Sequence, residues 1–174
     1  MVAARSGNSP RITDLEAFGC RIALGTDEFT EDMMQVLRSA VLIERMRLKE
    51  AEQPRPEEAM VWGTVNGYRA LNLRACGFLQ VGSKADLIVV STKHAHLVPT
   101  LRPVAVFVYQ GQARDVESVM VDGRWLLRDG KVLAMDEEEV IREADRVSRE
   151  IWVNYFKDHP DLEMPGGFDR GFSG

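Results

Sequence analysis

The dipeptide Asp-Gly occurs twice late in the chain, as Asp122-Gly123 and Asp129-Gly130, each time between two short apolar runs. Asp-Gly takes up the left-handed backbone that a two-residue type I′ turn demands at both central positions, so it is a strong local hairpin signal. Residues 118–121, 124–127 and 131–133 therefore read as an antiparallel meander. Ala85-Asp86-Leu87-Ile88-Val89-Val90 reads as a buried strand, preceded by a turn over 78–83. Val104-Ala105-Val106-Phe107-Val108-Tyr109 reads as another strand.

The rest of the chain has a helical period. Residues 10–18 read as a short helix stopped by Gly19, with Ile12, Leu15 and Phe18 on one face. Cys20-Arg21-Ile22-Ala23-Leu24 reads as a short strand ended by Gly25-Thr26-Asp27. A long helix is expected over 31–51, with Thr30 as cap. Met33, Met34, Leu37, Ala40, Val41, Glu44 and Leu48 share its inner stripe, where Glu44 is the polar exception. Pro54 and Pro56 break the chain, and a further helix over 57–73 carries Met60, Val61, Val65, Tyr68 and Leu71. Gly63 and Gly67 within it suggest close approach by another element. Asp136-Glu137-Glu138-Glu139 opens a last helix with an apolar stripe of Val140, Ala144, Val147 and Ile151, widened by Trp152, Tyr155 and Phe156. The first nine residues and the tail from 159 are expected to be loose.

Composition excludes several classes. The chain has 174 residues, 45% of them hydrophobic and 28% charged, so wholesale disorder does not fit. A net charge of −5 argues against a nucleic-acid partner. No apolar run approaches the ~20 residues that span a bilayer, so no membrane role is expected. Two cysteines, Cys20 and Cys76, suit reduced thiols in a cytoplasmic protein.

Three segments, in order, carry a resemblance. They are Ala23-Leu24-Gly25-Thr26-Asp27, the stretch from Gly77-Phe78-Leu79 through Gly82-Ser83-Lys84-Ala85-Asp86-Leu87, and the stretch from Asp115-Val116 through Val121-Asp122-Gly123-Arg124 to Asp129-Gly130-Lys131. The helix with Ala59, Thr64-Val65-Asn66-Gly67 and Ala70-Leu71 matches as well. Over roughly residues 10 to 155 the chain resembles the C-terminal portion of metal-dependent amidohydrolases. The cytosine deaminase-like branch, with its adenosine-derivative deaminases, guanine deaminases and s-triazine hydrolases, fits best.

The resemblance implies an α/β fold: the C-terminal fragment of a (β/α)₈ TIM barrel, the C-terminal share of a small β-sandwich, and a terminal helix. Residues 10–75 would hold the last barrel strand and its helices, 76–135 the sandwich portion, 136–158 a helix packing back, and 159–174 the tail. It also implies that Asp27, at the C-terminal end of that strand, is both a metal ligand and a catalytic carboxylate. A divalent metal lowers the pKa of a bound water toward ~7, and a carboxylate beside that water can take its proton. From spacing alone, Asp27 is equally readable as a loop residue capping the next helix. Glu28 and Thr26 flank it without an assigned role.

The family's His-x-His pair and further histidines have no counterpart before Asp27. Zinc or iron therefore belongs to the complete enzyme, or to no site in this chain alone, since about three protein ligands are the usual minimum. His94-Ala95-His96 has the right spacing, but it lies between a strand and Pro99 and reads as two loop histidines. His159 reads as solvated, and Trp125 and Trp152 as core or interface anchors. The expected substrate is a small N-heterocycle. The expected partner is a second copy or a complementary N-terminal half. The rival reading is a non-catalytic β-rich module that oligomerises through exposed Phe29, Met33, Met34, Leu37 and Val41.

Overall fold

The meander forms where the Asp-Gly turns place it. In the computed structural model, which describes residues 9–27 and 30–162, the sheet has four strands in the order β1-β2-β3-β4. They are β1 (Leu87–Val90), β2 (Val116–Val121), β3 (Arg124–Arg128) and β4 (Lys131–Val132). β1–β2 and β2–β3 pair antiparallel, with irregularities at Val89/Val90 and Val119/Met120. Asp122, Gly123, Asp129 and Gly130 all take positive φ, as type I′ turns require. The first turn is also gripped from upstream. Asp86 Oδ1 accepts from the Asp122 amide (2.6 Å), the Gly123 amide donates to the Ala85 carbonyl (3.1 Å), and Lys84 Nζ lies 3.0 Å from Asp122 Oδ2. The Lys84-Ala85-Asp86 and Asp122-Gly123 motifs are thus two halves of one clasp.

Among the described residues four helices precede the sheet: α1 (Ile12–Ala17), α2 (Met33–Leu48), α3 (Pro56–Gly63) and α4 (Val65–Ala70). Asp32, not Thr30, caps α2, its carboxylate accepting from the Met34 and Gln35 amides. The expected single helix over 57–73 is two helices, broken at Thr64 (φ −125°, ψ −92°), whose hydroxyl donates back to the Met60 carbonyl. Its inner face also differs from expectation. Trp62 and Ala59 are buried, whereas Val61 and Leu71 are exposed. At Gly63 a Cβ would lie 2.7 Å from Leu37 Cδ2, so the glycine does mark a close approach, while Gly67 has open space.

The run Val104–Tyr109 is not a strand. It lies in α5 (Pro103–Gln110), which packs on α2 and α3. An apolar run of this length is ambiguous between strand and buried helix. Pro103 at the first helical position favours the helix start, and Arg38 completes the end by donating to the Val108 and Gly111 carbonyls. Ile12, Leu37, Val41, Ala59, Trp62 and Val108 form the core, with Ile22 and Leu24 against it. Met34, Leu37 and Val41, offered above as an exposed oligomer surface, are buried.

Glu44, the polar exception on the α2 stripe, is fully buried. Its carboxylate accepts from the Thr13 amide (2.9 Å) and hydroxyl (2.6 Å) and from Arg47, which also reaches Asp14. Burial alone would push its carboxyl up, but the Arg47 and Thr13 hydrogen bonds outweigh it and lower it to about 2. This network ties α1 to α2.

The chain divides into two compact units, Met1–Lys131 and Val132–Gly174. The second holds α6 (Glu137–Asp158), capped by Asp136, whose carboxylate accepts from the Glu139 amide (3.0 Å). Arg146 pairs with Glu143 and Glu150 along it, and Trp152, Tyr155 and Phe156 cluster near its end. Residues 1–8 and 163–174 of the expected loose ends, together with Glu28 and Phe29, lie outside the described residues. Among the described residues no helix is long and apolar enough to cross a membrane.

Candidate functional site

Cys20–Leu24, expected as a strand, is neither helical nor paired in a sheet among the described residues. Its side chains nevertheless alternate as a half-buried strand would: Ile22 and Leu24 lie half-buried and Arg21 and Ala23 exposed. Helices take the place of neighbouring strands. The Leu24 amide donates to the Trp62 carbonyl (3.1 Å), and the Asn66 carboxamide donates to the Ile22 carbonyl (2.8 Å). Trp62 is itself anchored, its indole donating to Glu16 Oε1 (2.8 Å). An apolar groove of about 220 Å³ runs beside the segment, between Ala23, Leu24, Gly25 and the α2 residues Val36, Ala40 and Ile43.

Asp27 closes this segment. It is exposed and has a φ of +56°, a left-handed conformation that Asp tolerates better than most residues. Among the described residues no group of three His, Cys, Asp or Glu side chains is placed to hold a metal ion. One carboxylate does not make a catalytic metal site, and the donor set of the described residues does not fit such a metal by itself.

A second acid stands out. Asp115, in the 3₁₀ turn Ala113–Asp115, is fully buried. Its Oδ2 accepts from the Gln112 amide (2.8 Å) and lies 2.8 Å from His96 Nε2. Because a carboxylate only accepts, that ring nitrogen carries the proton. His94 Nε2 lies 3.9 Å from Asp115 Oδ1, which has no hydrogen-bond partner among the described residues. The Asp115 carbonyl accepts from the Ser91 amide. Burial raises the Asp115 carboxyl, but His96 and the Gln112 amide more than offset this and hold it below the usual carboxylate range. The two histidines are therefore partners of a buried acid that joins the ends of the 91–115 connection. Spacing gave His94 and His96, but their partner lay too far along the chain to be seen.

The amidohydrolase family profile matches residues 3–126. The chain is 35% identical over 150 residues to a 5'-deoxyadenosine deaminase of Methanosarcina barkeri, covering 84% of this chain and 34% of that protein. It is 36% identical over 124 residues to a 5-methylthioadenosine/S-adenosylhomocysteine deaminase of Pyrococcus horikoshii, covering 69% of this chain and 29% of that protein. It spans about a third of the length of the curated relatives it matches. In fold it is similar to an adenosine deaminase from Xanthomonas campestris with bound zinc, with a TM-score of 0.80 at 20% identity over 85% of this chain and 35% of that one. An amidohydrolase from a Sargasso Sea sample follows at a TM-score of 0.68 and 24% identity, over 83% of this chain and 34% of that one. The chain belongs to the amidohydrolase family.

Proposed function

We propose that this chain is the C-terminal part of a metal-dependent amidohydrolase that deaminates an N-heterocycle, with an adenosine derivative as the substrate class. The observation that carries this reading is the family match over residues 3–126, in which Asp27 follows a segment whose Ile22 and Leu24 pack against the core. The names of the relatives supply the substrate class. In this reading residues 10–75 close a (β/α)₈ barrel, with Arg21 to Leu24 as its last strand, and residues 76–135 belong to a flanking sandwich. Family membership speaks against a stand-alone non-catalytic module. A divalent metal, zinc or iron, belongs to the complete enzyme, and its other ligands come from the part of the relatives that this chain does not match. The proposed location is the cytoplasm, on the strength of the two free thiols.

Deamination of an aminated ring forms a carbon–oxygen bond from water and breaks the carbon–nitrogen bond to the amine. A carboxylate at the end of the strand takes the proton of the attacking water, and that proton departs with ammonia. Asp27 is assigned that role here. Its place at the C-terminal end of that strand is where barrel enzymes keep their chemistry.

The test combines this chain with the N-terminal two-thirds of a 5'-deoxyadenosine deaminase, adds zinc or ferrous iron, and measures ammonia release from 5'-deoxyadenosine. Release that needs both parts and is lost in Asp27→Asn is the expected result. An assembled complex that releases no ammonia from adenosine derivatives overturns the substrate class. Undiminished release by Asp27→Asn overturns the role of that carboxylate.

A further inference from the structure

In an extended chain the amide and carbonyl of residues i and i+2 lie along the same edge. Ile22 and Leu24 stand at that i, i+2 spacing, and both are half-buried while Arg21 and Ala23 are exposed. The Ile22 carbonyl and the Leu24 amide are taken up by one short stretch, the Asn66 carboxamide and the Trp62 carbonyl. That stretch spans the break at Thr64, which ends α3 and starts α4 in a new direction. Asn66 is 8% exposed and its carboxamide nitrogen lies 2.8 Å from the Ile22 carbonyl, so losing it takes a donor from a partly buried bond. The apolar faces of Ile22 and Leu24 press the segment onto the core, but apolar contact is not directional. The two hydrogen bonds fix its register.

We propose that Asn66 is a positioning residue, which with the Trp62 carbonyl sets the course of residues 22–24 and so the place of Asp27 at their end. The functional meaning of that placement rests on the assignment of Asp27 above, but the placement itself can be measured without it. An apolar residue at 66 would leave the Ile22 carbonyl without this donor, and an Asp there would set a second acceptor against it.

The experiment uses the full chain labelled with ¹⁵N. Amide hydrogen exchange is compared in the wild type, Asn66→Leu and Asn66→Asp. The expected result is about tenfold faster exchange at the Leu24 amide in both variants, equivalent to the loss of one hydrogen bond. The Asp27 cross-peak should be displaced, while exchange at Met120 and Val121 stays as in the wild type. A general loss of stability would not produce that pattern. Leu24 exchange within twofold of the wild type overturns the proposal, as does an equal loss of protection in the sheet. Should both variants fail to fold, the wild type decides. The Asn66 carboxamide protons must themselves be protected, and free exchange at solvent rates overturns the proposal. Asp27→Asn should leave Leu24 exchange unchanged. Failure of the Asp27 assignment would appear in ammonia release, and failure of the Asn66 proposal in exchange.

Discussion

Asp27 and Asp115 are both acids in regions that match the family, yet they are built oppositely. Asp115 is fully buried and bound by a main-chain amide and His96, and its own carbonyl accepts from Ser91. Asp27 is exposed at the end of a segment whose precision comes from its neighbours Trp62 and Asn66. Asp115 Oδ2 is spent on the Gln112 amide and His96, whereas Asp27, whose proposed role is chemical, is exposed. Glu44 belongs with Asp115, since Thr13 and Arg47 saturate it.

The contrast predicts opposite responses to substitution, with the largest effect at Asp27. In the complex assembled as above, Asp27→Asn should lower ammonia release roughly 100- to 10,000-fold. It should shift the chain's unfolding free energy by less than about 0.5 kcal/mol in urea. A large loss of stability would place Asp27 with the structural acids.

Glu44→Ala should cost about 3 kcal/mol, the lower end for breaking a buried ion pair, because Arg47 keeps Asp14 as a partner. The denaturation midpoint checks this. The same carboxylate predicts acid sensitivity. Its folded value of about 2 lies below the unfolded 4.5, so its stabilisation is complete above about 4.5 and fades as pH falls toward about 2. Glu44→Gln should flatten that part of the stability profile, and an unchanged acid limb would remove Glu44 as its source.

Asp115→Ala should cost about 1–3 kcal/mol, because His96 and the Gln112 amide lose their acceptor. His96→Ala in the same background should then add less than it does alone, which a double-mutant cycle measures. Fully additive losses would mean that the two residues act separately. Among the structural acids the smallest loss of stability is expected at Asp32, which caps α2 and also accepts from the Ala113 amide. Asp32→Ala should cost about 1 kcal/mol by thermal unfolding, the ordinary worth of a cap.

Much of the local structure was legible because its causes are local. The Asp-Gly turns carry their own backbone preference, and Asp136 caps α6 through an amide three residues away. The anomaly at Glu44 was also visible, as a charge on an apolar stripe, although its partners Thr13 and Arg47 were not. Asn66 was visible as part of a motif, but nothing nearby in sequence marked it as the donor to Ile22. Trp62 does not stand out on the stripe of Met60, Val61, Val65, Tyr68 and Leu71, which holds for one helix and fails where the structure breaks it at Thr64.

The amino-acid sequence by itself determined the Asp-Gly turns, the Asp136 cap, the family and the candidacy of Asp27, since each depends on residues close together or on a pattern held in order. Only the tertiary structure decided that 104–109 coils into a helix. Pro103 opens that helix, but the guanidinium that finishes it comes from Arg38, on α2. It likewise decided that the Leu24 amide and the Ile22 carbonyl meet Trp62 and Asn66, and that two loop histidines meet a buried acid. Hydrogen bonds and burial between distant residues carry no signature in local spacing, because they exist once the chain has folded back on itself.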